Sequence, residues 1–131
     1  MSQADIEALR AVYEAVNRGD WDAAFRDGHP DFELKTPEQG PDTSIVRGRE
    51  EAGHAFRDFF EPYDEVHIDP QEFFDRGDHI VVFFVLRCRP RGSSAMVEIR
   101  AAHLWTMRNG RPARLQIFPK REDALEAAGV T

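Results

Sequence analysis

The chain has 131 residues, a formal net charge of −7 and one cysteine. That length suits a single domain able to bury a core without disulfides or metal, and the acidic balance argues against a phosphate-binding face for nucleic acid or an anionic membrane. No apolar run reaches the about 18 residues of a spanning helix, residues 1–16 lack the pattern of a signal peptide, and Cys88 alone makes neither an internal disulfide nor a zinc spacing, so the expected compartment is the cytoplasm.

Residues 4–18 carry Ile6, Leu9, Val12, Tyr13 and Val16 at helical spacing, with Ser2 or Asp5 as caps and Gly19 as the stop. Asp20 caps a second short helix over residues 21–26, packed through Trp21, Ala24 and Phe25. Residues 32–36 alternate as a strand with Phe32, Leu34 and Thr36 on one face. Residues 37–44 are rich in turn formers and read as an exposed loop. A third helix spans residues 49–60, with an apolar stripe of Ala52, Ala55, Phe56, Phe59 and Phe60, and Pro62 beyond it.

Four strands follow, over residues 65–74, 80–89, 95–107 and 113–118. The last two are joined at Asn109-Gly110, a tight hairpin signal. Residues 122–128 form a short terminal helix. Loops between these strands are too short for crossover helices, so the class is α+β with a mostly antiparallel sheet.

Alternation assigns strand faces. Ile99, Ala101, His103 and Trp105 share one face with Val82, Phe84, Leu86 and Cys88 of the preceding strand. Glu98 and Arg100 belong beside Arg87 and Arg89, where opposite charges pair, so the charged ends face outward and His103 faces the helices. The outer face also holds Val81, Phe83, Val85, Leu104 and Phe118. An uncovered apolar face of that size predicts a homodimer through the sheet, the alternative being that the C-terminal helix folds over it.

Several passages together carry a family resemblance. They are Tyr13 with Asn17-Arg18-Gly19-Asp20-Trp21, the Val46-Arg47-Gly48-Arg49-Glu50 entry to the third helix, the Gly77-Asp78 turn, and the hairpin from His103 to Gly110. With the element order, they resemble the nuclear transport factor 2-like superfamily, in its SnoaL-like branch, over nearly the whole chain. The resemblance implies a cone: a curved, mostly antiparallel sheet wrapped around three helices, with a pocket inside and a short C-terminal helix. It leaves the function open, because the family holds isomerases, cyclases, hydrolases and non-catalytic members. Relatives with ketosteroid isomerase chemistry use an Asp base at the end of the first strand and a protonated acid as one oxyanion donor. By the resemblance those positions fall on Thr36 and His103, and no inward carboxylate pair stands near them.

Two readings follow. In the first, a largely apolar pocket binds a small organic ligand, with His103 as its main polar group and walls from Trp105, Phe56, Phe59, Phe84, Leu34, Leu115 and Ile117. In the second, a cofactor-free enzyme uses His103 as general acid or base and Tyr13 as a donor. A bland reading stands beside both, with His103 a core histidine satisfied by Tyr13 or the backbone, and the tyrosine a packing residue with its hydroxyl at the surface. No metal is expected, because His29, His54, His67 and His79 share no ligand spacing with His103. Arg87, Arg89, Arg91 and Arg100 are a candidate anion cluster, with Glu98 as the bland alternative.

Overall fold

The computed structural model of the chain describes residues 3–36 and 45–129. The elements run α1 (Gln3–Asn17), α2 (Trp21–Arg26), β1 (Glu33–Lys35), β2 (Ile45–Arg47), α3 (Arg49–Phe59), β3 (Tyr63–Arg76), β4 (His79–Pro90), β5 (Val97–Arg108), β6 (Arg111–Phe118) and α4 (Arg121–Ala127). Every expected helix and strand is present. The cap at Ser2 and the loop at residues 37–44 lie outside the described residues. The addition is β2, whose three residues are too few to show an alternating pattern.

The six strands form one sheet in the order β2-β1-β6-β5-β4-β3. All neighbours are antiparallel except β1 and β6, where Leu34 pairs with Leu115. The β5–β6 turn has Asn109 at φ 55° and Gly110 at φ 77°, the left-handed pair that a two-residue hairpin requires. β3 is longer than its alternation suggests because of a bulge at Gln71, between the Pro70–Phe84 and Glu72–Phe83 pairs. The bulge lets Pro70 sit in an edge strand and changes which face follows it: Ile68 and Phe73 pack on the helical side, Phe74 on the other.

The first three helices lie against one face of this sheet. α1 ends in a Schellman turn, with Gly19 at φ 76°, Gly19 N–H bonded to Val16 O and Asp20 N–H to Ala15 O. That turn presents Asn17 to the edge strand. Its amide donates to Ile68 O at 2.8 Å and accepts from Ile68 N–H at 2.8 Å. One side chain thus satisfies both edge groups of Ile68 and fixes the end of α1 to β3. On the same side Trp21, Phe25, Phe56 and Phe60 pack in edge-on and stacked pairs that hold α2 to α3.

The outer face departs from the expectation of an uncovered surface. α4 folds back over it, and Ala124, Val81, Ala102 and Leu104 form a second, smaller core with Phe83, Phe118 and Leu125 packed around it. Val81, Val85 and Leu104 are buried within one chain. Arg121 anchors the helix, donating to Phe84 O at 2.9 Å and Ala101 O at 3.3 Å while its guanidinium lies over the Phe83 ring. The face expected to form a homodimer, including Phe83 and Phe118, therefore has an intramolecular cover and needs no partner to bury it.

An Asn17→Ala variant removes both bonds to Ile68 and strands two edge-strand groups. The expected loss is about 2 kcal/mol in urea unfolding, with an unchanged fold. A loss below about 0.5 kcal/mol would show that water replaces this staple freely.

Candidate functional site

His103 lies in the middle of β5, paired with Val82 of β4 and Ile117 of β6, and its side chain points to the helical side. It is 2% exposed and is the buried polar residue of this core. Two residues along, on the same face, stands Trp105. Tyr13 comes from α1, on the same stripe as Leu9 and Val16.

These three side chains form one chain of hydrogen bonds. Trp105 Nε1 donates to the Tyr13 hydroxyl at 2.9 Å, and that oxygen lies 2.7 Å from His103 Nδ1. The tyrosine and imidazole planes are inclined by only 11°, with ring centres 5.7 Å apart. An indole N–H can only donate, so the Tyr13 oxygen accepts from Trp105. We assign the Tyr13 O–H as the donor to Nδ1, because the reverse direction would bury the phenol proton without an acceptor. This arrangement pairs the indole and phenol protons. It makes His103 the neutral tautomer with its proton on Nε2.

The environment favours the same state. Burial lowers the His103 pKa from the usual 6.5 to about 3. Burial also pushes the Tyr13 phenol above its ordinary range, partly opposed by the bond from Trp105. Neither ring carries charge near neutral pH. Among the described residues Nε2 has no hydrogen-bond partner, while Nδ1 is engaged by Tyr13.

A cavity of about 140 Å³ opens beside the imidazole. Phe84, whose ring centre is 4.2 Å from that of His103, forms one wall with Leu86 and Ala101. Phe56, Phe59 and Phe60 come from α3 and its end, and Ile68, Ile99, Ile117 and Pro119 complete the lining. His103 is the one polar side chain among them. Three larger clefts, of about 270, 420 and 370 Å³, lie elsewhere, each with charged side chains in its lining. The smallest is the apolar one, and it is the one next to the unpartnered imidazole nitrogen.

The structure sorts the sequence candidates by depth. Phe56, Phe59, Phe84 and Ile117 line the cavity with His103. Trp105, Leu34 and Leu115 do not; they are core residues nearly or wholly inaccessible. Alternation gave their face correctly, but how far each lies from the cavity depends on the helices packed over it. Tyr13 also stands behind the imidazole, and its buried hydroxyl donates to His103, so it is neither a surface phenol nor free to point into the cavity. Phe60, Ile68, Leu86, Ile99, Ala101 and Pro119 were not named as walls. Strand alternation was a sufficient signal for Leu86, Ile99 and Ala101, which share His103's side; Pro119 had none.

The other candidates find local partners. His79 Nδ1 is 3.2 Å from the Thr106 hydroxyl, and His29 Nδ1 accepts from Asp31 N–H at 3.0 Å. Cys88 is buried on the inner face, where desolvation raises its thiol pKa. The arginine cluster is matched with carboxylates: Arg87 with Glu98 at 3.3 Å, Arg89 with Glu65 at 2.8 Å and Arg91 with Glu61 at 3.0 Å.

The family model described as SnoaL-like domain matches residues 9–115. Solved structures share the fold at low identity. A crystal structure of TerC co-crystallised with polyporic acid is 23% identical, with a TM-score of 0.78 over 97% of this chain and 99% of that one. An NTF2-like protein of unknown function from Burkholderia pseudomallei is 22% identical, with a TM-score of 0.77 over 96% and 97%. RV0760c from Mycobacterium tuberculosis, in complex with estradiol-17beta-hemisuccinate, is 17% identical, with a TM-score of 0.73 over 87% and 92%. No curated protein sequence matches the chain.

The lowered pKa of His103 has a definite sign in stability. The unfolded chain takes up a proton near pH 6.5, the folded chain only near pH 3, so the unfolded state binds more protons between them. Stability contributed by the neutral ring is present above pH 6.5 and is lost as pH falls toward 3. Chemical unfolding should show roughly 2 kcal/mol lost between pH 7 and pH 5. A His103→Asn variant, whose amide oxygen can still accept from Tyr13, should lack that slope; an identical slope in the variant would assign it to other groups.

Proposed function

The chain belongs to the SnoaL-like domain family, and from that premise we propose that its apolar cavity binds a small, uncharged organic molecule through one hydrogen bond donated by His103 Nε2. The observation that carries this reading is the unpartnered nitrogen of a buried, neutral imidazole beside an otherwise apolar cavity. Such a nitrogen gains most from a carbonyl, ether or hydroxyl oxygen, because a buried donor without a partner carries a desolvation penalty of about 1–3 kcal/mol. The relay from Trp105 through Tyr13 keeps the proton on Nε2, so the site is built to donate rather than to accept. A carboxylate ligand would enter without a compensating cation, since among the described residues no Lys or Arg lines the cavity. The volume, about 140 Å³, is on the scale that holds a single benzene-sized ring. Longer ligands would extend past Phe59 and Ile99 at the mouth.

Related proteins crystallised with small organic molecules support a ligand-binding role. The alternative reading, an enzyme with His103 as general acid or base, has less support. An imidazole with its pKa held near 3 is a weak base at neutral pH, and Nδ1 is occupied by Tyr13. Among the described residues the lining holds no carboxylate to take a proton in its place. A neutral imidazole can still polarise a carbonyl, so the enzyme reading survives only if a substrate brings its own base. The acidic composition and single buried cysteine are consistent with a cytoplasmic setting, and no described helix is long and apolar enough to cross a membrane.

Calorimetric titration with neutral aromatic ketones, against the matching carboxylic acids, tests the binding reading. The ketones are expected to bind and the acids to bind far more weakly at pH 7. His103→Phe should weaken ketone binding about tenfold, the equivalent of one hydrogen bond, without unfolding the protein. Equal affinity for ketones in the variant would contradict the role given to Nε2, and turnover of a ketone lost on substitution would favour the enzyme reading.

A further inference from the structure

The four large apolar side chains most exposed among the described residues are Phe59 at 45%, Met96 at 52%, Val97 at 39% and Ile99 at 39%. They are not scattered. Phe59 and Ile99 line the cavity mouth, Val97 is on the Ile99 face of β5, and Met96 directly precedes the strand. The apolar surface of the domain is concentrated at the opening of its cavity.

The same stretch is a free sheet edge. β4 pairs with β5 along its length, from His79–Thr106 to Cys88–Val97, with no irregularity. β6 pairs only as far as Phe118–Ala102, after which Pro119 and Lys120 lead into α4. Among the described residues, 97–101 therefore have a strand partner on one side only. The Met107 N–H bonds to Asp78 O, on the β4 side. Backbone groups alternate sides along a strand, so the odd-numbered residues of β5 face β4 and Glu98 and Arg100 face the open edge.

We propose that a second copy of this chain docks on this edge, β5 against β5, and that the two copies close each other's cavity mouths. The sequence from Val97 to Ala101 is self-complementary in an antiparallel register centred on Ile99. In that register Glu98 lies opposite the second copy's Arg100, and Arg100 opposite its Glu98. Those pairs are also the ones whose N–H and C=O groups face outward, so charge matching and backbone bonding coincide. Ile99 meets its own equivalent at the two-fold axis, and Val97 meets Ala101. Rim residues exposed in one copy then cover the mouth of the other. The contact satisfies the geometry of an isologous dimer, in which one patch serves both subunits. The edge is short, and the interface belongs to the small, dissociable class.

Sedimentation velocity over a wide range of concentration tests this. The wild-type chain should show a reversible monomer–dimer equilibrium. Glu98→Arg places like charges opposite each other twice per dimer and should raise the dissociation constant about tenfold. The double swap Glu98→Arg with Arg100→Glu restores both pairs and should return it close to the wild-type value. Arg100→Glu alone makes the same clash with acids and stands in if Glu98→Arg unfolds, as judged by circular dichroism. A wild-type chain that stays monomeric at every concentration overturns the proposal. So does a dimer unaffected by either single substitution, or one that the double swap fails to restore.

Discussion

The hydrogen bond between the Tyr13 hydroxyl and His103 Nδ1, 2.7 Å long and wholly buried, joins the helical layer to the middle of the sheet. It is a polar contact in surroundings that are otherwise apolar, so it is specific in a way that hydrophobic burial is not. If α1 rotated or slid, the indole, phenol and imidazole would each lose a partner in a place where water cannot replace it. The Asn17 bonds to Ile68 act in the same sense one turn further along α1. Between them they fix both the rotation and the height of the helix over the sheet.

This arrangement also decides what the cavity can do. Burial removes the charge from His103, and the relay removes its acceptor nitrogen, which leaves one donor facing an apolar space. The catalytic potential of a histidine rests on its titrating near neutral pH, and here the fold suppresses that property. On the proposed reading the site has the chemistry of recognition: a shaped apolar volume and a single oriented N–H. On the far side of the sheet the fold is self-sufficient, because α4 and Arg121 cover what β4 and β5 would otherwise expose.

Much of this was legible in the chain. Period-two alternation placed His103, Phe84, Leu86 and Ala101 on one side of the sheet, and the register of β4 with β5 bears that out, with Arg87 opposite Glu98. Helical spacing placed Tyr13 with Leu9 and Val16. Asn17 was part of a recognisable passage, but its role depends on Ile68, 51 positions away, and no local pattern gives that distance. The cover of the outer face was hard to weigh for a similar reason. α4 is short and its packing face is little more than Ala124, Leu125 and Ala128, so its pattern is weak compared with the apolar face it hides. Depth was the hardest property to read. Leu34, Leu115 and Trp105 have the right face and chemistry for a pocket wall, yet they lie in the packed core behind it.

Everything proposed for the cavity rests on His103 being a neutral donor whose Nδ1 is held by Tyr13. Nitrogen-15 NMR of the imidazole, recorded against pH, tests it directly. The Nε2–H tautomer is expected throughout the neutral range, with no titration until the pH approaches the value of about 3 set by burial. A ring that protonates near pH 6.5, or that carries its proton on Nδ1, would contradict it and return His103 to the role of an ordinary acid–base group.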